Sequence, residues 1–213
     1  MADVEKTIEV VRAMATAMGE NRKELTRLDS EIGDGDHGTN MNRGFQAAIE
    51  RLANTEPASP ADALKAVSMA LISKVGGAAG PLYGTVFLKA SSALAGKEEV
   101  SAQDAANALE EALSGVKLRG KAEAGDKTMV DALEPAAQAA KEAAGSGRVA
   151  EVFRAAADAA AEGAEATVPL TAKRGRASYM GGRAAGHKDP GATSTHLLLD
   201  AAARVLENAS EDA

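Results

Sequence analysis

Three aspartates, Asp29, Asp34 and Asp36, stand at relative positions 1, 6 and 8 of one short stretch that also carries Gly33, Gly35 and Gly38. Glycine permits a sharp fold-back, so the three carboxylates can gather at one point. With no Cys and only three His in the chain, an oxygen-only ligand set selects a hard cation, Mg²⁺ or Ca²⁺. An EF-hand fits poorly, because its fifth and twelfth positions would be Gly33 and Asn40. Helix N-capping explains one of the acids, with Asp36 the best placed, and leaves two unexplained. Mg²⁺ held by a few carboxylates and completed by phosphate oxygens is the arrangement of a phosphoryl-transfer site. His37, Gly38, Thr39 and Asn40 follow, opening a helix with donors aimed at such phosphates.

Other residues belong to the same chemistry. Gly76-Gly77-Ala78-Ala79-Gly80, the stretch from Gly120 to Lys127, and the stretch from Lys173 to Gly191 are rich in glycine, and each leads into a helix N-terminus. Lys173, Arg174, Arg176 and Arg183 offer positive charge for phosphate, with Arg176 the best placed. Lys127 and Met129 are expected to face a base. His187 and His196 lack metal-ligand spacing and read as structural. A Walker A loop and a strand-linked Rossmann fingerprint are both absent, which excludes those two routes to nucleotide binding.

The elements that must hold these residues are helices. Alanine is by far the commonest residue and aromatics make up 2% of the chain, a bias toward helix and away from strand. Apolar spacing at three and four residues marks eight amphipathic segments. The first runs from Val4 to Met18, the second carries Met41 to Leu52, the third Leu64 to Val75 and the fourth Val86 to Leu94. The fifth carries Ala105 to Leu113, the sixth runs from about Thr128 to Ala144, the seventh carries Val149 to Ala160, and the eighth starts near Asp189-Pro190. Ser59-Pro60 and Ser101 with Asp104 are N-terminal signals for the third and fifth. The links after helices two, four and six are ordinary, whereas those after one, three, five and seven are the four glycine-rich ones. In an up-and-down bundle every odd-to-even link lies at the same end, so all four converge on one rim. A core of small residues lets helices approach closely and makes an internal cavity plausible.

Charge and composition narrow the class. Against 24 Lys and Arg stand 31 Asp and Glu, a net charge of −7, which argues against a nucleic-acid partner. The absence of Cys excludes a disulfide framework and a thiolate site. No apolar run approaches the roughly 18 residues of a membrane span. The acidic opening lacks the features of a signal peptide. The chain reads as one domain over 1–213, soluble and cytoplasmic, with no membrane or nucleic-acid partner.

Five motifs resemble the nucleotide-binding L subunit of dihydroxyacetone kinases, and in that family's order. They are Leu28-Asp29 with Gly33 to Met41, Gly76 to Thr85, Gly125 to Met129, Gly175 to Tyr179, and Asp189 to Ala192. The resemblance implies an all-α, antiparallel eight-helix barrel with the nucleotide on one rim. It implies two Mg²⁺ ions on Asp29, Asp34 and Asp36, bridging the phosphates of ADP or ATP. His37, Gly38, Thr39, Asn40, Ala78 and Ala79 would contact phosphate. Met129 would lie near adenine, and Arg176 with Asp189, Pro190 and Gly191 would complete the pocket. No catalytic residue is expected on this chain. Dihydroxyacetone is held by a separate K subunit, so this chain alone would be half an enzyme. The phosphodonor is either exchanging ATP or a phosphotransferase-system protein that recharges bound ADP, and a homodimer is a further assembly open to it. The family's usual Ser at position 79 is Ala here, Gly182 replaces an acid, and Ala184-Ala185 replace a Ser–aliphatic pair. A non-catalytic Mg²⁺–nucleotide sensor would share every site residue, and a Ca²⁺-binding or lipid-carrying helical protein is the more distant rival.

Overall fold

The computed structural model describes residues 2–211. Among these, the regular elements are helical, and the one β contact is an isolated bridge between Ala2 and Val100. The α-helices are α1 (Val4–Glu20), α2 (Arg22–Ile32), α3 (His37–Thr55), α4 (Pro60–Lys74), α5 (Ala79–Ala93), α6 (Ala102–Gly120), α7 (Val130–Ala143), α8 (Val149–Ala166) and α9 (Pro190–Glu211). Two 3₁₀ segments, Ala144–Ser146 and Arg176–Ala184, lie between them. No helix of the described residues is long and apolar enough to cross a membrane.

Local signals start the helices where the sequence places them. The Ser59 hydroxyl accepts the Asp62 N–H at 3.2 Å with Pro60 at the first helical position. Ser101 and Asp104 form a reciprocal box, each side chain accepting the other's backbone N–H at 3.1 Å. One element corrects the sequence reading: Asp29 to Ile32 are the last turn of α2, not the start of a loop. Asn21 closes α1, its N–H and its side-chain amide both donating to Ala17 O, and α2 sets off from there. Leu25, Leu28 and Ile32 are its buried stripe, thin enough to be masked by the charged residues around it.

Each helix from α3 to α9 packs on the next, and α1 lies against both α9 and α3. α2 stands outside that succession, against α3, α9 and the 176–184 segment. The core divides by side-chain size. On the α1–α5 side, Phe45 meets Phe87 edge-on with ring centroids 5.9 Å apart. Between α7 and α8 it is almost all alanine, with Ala132, Ala136, Ala156, Ala157 and Ala160 fully buried. Gly163 tightens that contact, since a Cβ there would stand 2.2 Å from Asp131 O. Small side chains also leave the expected void: an apolar cavity of about 140 Å³ lies among Val11, Met14, Leu64, Phe87, Leu109, Leu133 and Phe153. Tyr83 and Met129 close its end nearest the glycine-rich connections, facing it on one side and the larger cavity described next on the other.

Candidate functional site

All four glycine-rich connections meet in one cavity of about 1010 Å³. Its acidic corner is built by the turn from α2 into α3. The Gly33 N–H bonds Asp29 O at 2.6 Å and ends α2; a Cβ on Gly33 would stand 2.3 Å from Asp29 Oδ1. Gly35, at φ +73, turns the chain back where a side chain would meet Ser30 Oγ at 2.5 Å. The returning backbone donates to Asp29 Oδ2 from the N–H of Asp36 at 2.8 Å and of His37 at 3.0 Å. Asp29 therefore satisfies the start of α3, and Asp36, despite standing at the N-cap position, makes no cap bond. That reverses the capping assignment read from sequence. Asp29, Asp34 and Asp36 each offer an oxygen within 4.8 Å of the others. Three carboxylates so close repel one another, and an all-oxygen set of this kind suits hard divalent cations. Arg176 Nε lies 3.0 Å from Asp34 Oδ2.

The walls around this corner come from distant parts of the chain. His37 is buried, its Nε2 2.9 Å from Ser194 Oγ on α9. Burial holds the imidazole below its ordinary pKa, against the opposing charges of Asp29 and Asp36. Ser194 Oγ is in turn 2.6 Å from the Tyr83 hydroxyl, which burial pushes up to about 12. Gly76 to Ala79 lead into α5, whose first turn offers backbone N–H groups. Asn40 braces this loop: its amide lies against Gly76, and its Oδ1 accepts from Arg43 at 2.5 Å.

The far wall is made by the 120–129 and 168–191 segments. Lys127, expected to face a base, turns inward at φ +61. Its ammonium is buried and donates to Thr167 O at 2.6 Å and to His187 O, and burial lowers its pKa. The left-handed backbone at Lys127 accompanies a side chain that reaches the Thr167 carbonyl closing α8 and the His187 carbonyl just before α9, a placement sequence spacing does not disclose. Asp126 lies below the ordinary carboxylate range, held there by the Glu123 N–H and then by Lys173 and Arg174. These two cations are thereby engaged, each 3.4 Å from Asp126. Asp189 is buried and caps α9, its Oδ2 accepting the Ala192 N–H at 2.7 Å. Burial pushes its carboxyl up to about 7, against the pull of that N–H and of the Lys127 charge.

Of the residues singled out from sequence, Asp29, Asp34, Asp36, His37, Ala78, Ala79, Lys127, Met129, Lys173, Arg174, Arg176, Asp189, Pro190 and Gly191 line the cavity. Gly38, Thr39 and Asn40 do not. A Cβ on Gly38 would stand 2.1 Å from Arg22 O, so this glycine serves the contact of α3 with α2. Tyr83, Gly120 and Tyr179 also line the cavity and were not singled out. Tyr83 and Tyr179 lie inside the family-like motifs but their spacing carries no chemistry of its own, and Gly120 stands out only as the start of one glycine-rich connection. Tyr179 is 87% exposed at the mouth.

A basic residue over the acidic corner, helix N-termini around it and a buried apolar wall at Met129 suit an anionic ligand with a flat apolar part, held through divalent cations. The model of the DAK2 domain matches residues 31–204. The PEP-dependent dihydroxyacetone kinase 2, ADP-binding subunit DhaL, of Listeria innocua serovar 6a is 42% identical over 201 residues, 93% of this chain and 92% of the relative. The PEP-dependent dihydroxyacetone kinase, ADP-binding subunit DhaL, of Escherichia coli K12 is 42% identical over 176 residues, 82% of this chain and 84% of the relative. Among solved structures, the dihydroxyacetone kinase from C. freundii in complex with AMP-PNP and Mg²⁺ superposes with a TM-score of 0.72 at 27% identity, over 93% of this chain and 33% of that one. This chain thus spans about a third of that solved kinase. With a family match that runs from just before Asp34 into α9 and relatives matched along most of their length, the chain belongs to the DAK2 domain family.

Proposed function

We propose that this chain is the nucleotide-binding subunit of a dihydroxyacetone-type kinase. It presents a Mg²⁺–nucleotide whose terminal phosphoryl group passes to a hydroxyl of dihydroxyacetone, or of a related small ketose, on a separate K subunit. One observation carries this reading: Asp29, Asp34 and Asp36 meet within 4.8 Å at the corner of a cavity walled by four glycine-rich connections. The relatives, named as ADP-binding subunits of dihydroxyacetone kinases, support it.

The oxygen-only corner suits Mg²⁺, and the resemblance implies two such ions. Bound there, they would neutralise phosphate charge and orient the phosphates. The chain's own residues do the rest by position. Asp29 is held in place by two backbone N–H groups. The imidazole of His37, on the cavity wall at the start of α3, and the start of α5, at Ala78 and Ala79, offer donors to phosphate. Arg176 adds positive charge over the transferred group. Met129 with Pro190 and Gly191 forms the wall for the adenine, and Asp189 shapes it by capping α9. Because Ala79 has no hydroxyl, its contribution is the backbone N–H alone. No nucleophile or base on this chain is required, since the attacking hydroxyl belongs to the acceptor.

The succession of helix contacts supports an antiparallel up-and-down barrel of α1 and α3–α9 in one domain, with the site on one rim and α2 laid outside. The names of the PEP-dependent relatives favour ADP as a resident cofactor, recharged by a phosphotransferase-system protein in the cytoplasm.

Calorimetric titration with ADP tests the reading directly. Binding is expected with Mg²⁺ and lost without it. Asp34→Ala should weaken it by about 100-fold or more, beyond what removing an outer-shell partner of a metal ligand costs. Unchanged affinity in Asp34→Ala overturns the assignment. Phosphoryl transfer to dihydroxyacetone on mixing with a K subunit separates the kinase from a sensor.

A further inference from the structure

We propose that Ser194, held by Tyr83, is a positioning residue for His37: the chain Tyr83 Oη–Ser194 Oγ–His37 Nε2 fixes the imidazole with its proton on Nδ1, as a donor to a phosphoryl oxygen of the bound nucleotide. The role of that donor rests on the nucleotide reading above; the tautomer does not.

Proton accounting leads to this assignment. Three hydroxyls, of Tyr83, Ser194 and Thr195, lie together with one acceptor-only group, Gly191 O, and one ring nitrogen, His37 Nε2. Thr195 reaches Gly191 O at 2.9 Å, four residues back along its own helix, which uses one lone pair of that carbonyl. The closest contact of the group is Tyr83 Oη to Ser194 Oγ, at 2.6 Å. Tyr83 Oη also lies 2.9 Å from Gly191 O, but Ser194 is its nearest partner, and the phenol, as the stronger acid of that pair, donates there while serine accepts. Ser194 then has its own proton to place, either on His37 Nε2 at 2.9 Å or on Gly191 O at 3.1 Å. The nitrogen is nearer, and the carbonyl is already engaged by Thr195. Nε2 therefore accepts, and the ring proton resides on Nδ1.

The surroundings agree. No described residue bonds Nδ1, and His37 lines the cavity beside Asp29 and Asp36. The reverse tautomer would leave Nδ1 an acceptor, unable, on the nucleotide reading, to donate to phosphate. The chain also spans three helices, α3 through His37, α5 through Tyr83 and α9 through Ser194, so it sets the ring relative to the acidic corner. Ser194 is fully buried and Tyr83 is 2% exposed. Water therefore has little access to replace either hydroxyl.

The test is nitrogen-15 NMR of the His37 ring in the free protein, in wild type, Ser194→Ala and Tyr83→Phe, together with calorimetric titration of MgADP into each. Wild type should show a protonated Nδ1 and a bare Nε2. Ser194→Ala should lose that fixed pattern, and Tyr83→Phe, which removes only a hydroxyl, should weaken it. Both should bind MgADP about tenfold less tightly, the scale of one hydrogen bond, with circular dichroism unchanged. A wild-type proton on Nε2 overturns the proposal, as does an unaltered tautomer in both variants. If Ser194→Ala fails to fold, Tyr83→Phe and the wild-type spectrum decide. A protein that shows the Nδ1 proton but binds no MgADP refutes the nucleotide reading and upholds the positioning of the ring.

Discussion

Asp189 ties the cavity to pH. Its carboxyl has a folded value near 7 against an ordinary 3.8, so between those limits the folded chain keeps a proton the unfolded chain has released. The stability it contributes is complete below about pH 4 and is lost as pH rises through 7. The urea midpoint of wild type should therefore drop more between pH 5 and pH 8 than that of Asp189→Asn, which keeps an oxygen to cap α9 and cannot ionise. Equal pH dependence in the two would refute this account. At this scale the sequence disclosed the acids well, because three aspartates among glycines have few structural uses. It disclosed Lys127 poorly. Its direction is set by a left-handed backbone angle and by carbonyls some 40 residues away in the chain, and neither leaves a local trace. The same holds for Ser194 and Tyr83, whose hydroxyls matter only because three helices bring them together.

Among the elements, the junction of α2 and α3 decides whether the acidic corner exists. Asp29 rides on α2, whereas Asp36 and His37 open α3, and the two helices approach closely over Gly38. Gly38→Ala should place a Cβ against the Arg22 carbonyl and the Thr26 N–H, prising α3 from α2 and breaking the N–H bonds to Asp29. A stability loss of about 1–3 kcal/mol is expected in urea, together with loss of Mg²⁺-dependent nucleotide binding. Retained binding would mean that the corner tolerates the displacement. Eight of the helices were legible from apolar spacing and from N-terminal signals such as Ser101 with Asp104. α2 was not, since its three buried residues are outnumbered by charges, and an acidic glycine-rich stretch reads as loop. The 3₁₀ run of Arg176–Ala184, broken at Gly181, likewise has no periodic signature.

For the molecule as a whole, the alternation of ordinary and glycine-rich connections foretold that four distant stretches share one cavity. That followed from topology alone and required no knowledge of side-chain contacts. The alanine-rich composition foretold close helices and an interior void, but not that Tyr83 and Met129 would be the partition between void and site. Met129→Ala should join the two cavities. A stability loss of about 2–5 kcal/mol is expected, with weaker nucleotide binding, whereas Ala108→Val, facing only the inner void, should leave binding unchanged. Denaturant melts and titrations on both variants check this. α9 has a consequence for synthesis. It lies against α1, and its opening turn supplies Asp189 to Gly191 and Ser194 to the site, so a chain emerging from the ribosome holds the acidic turn long before the opposite wall exists. Ligand capture must wait until α9 has cleared the exit tunnel, which makes occupancy a report that α9 has been made and has docked.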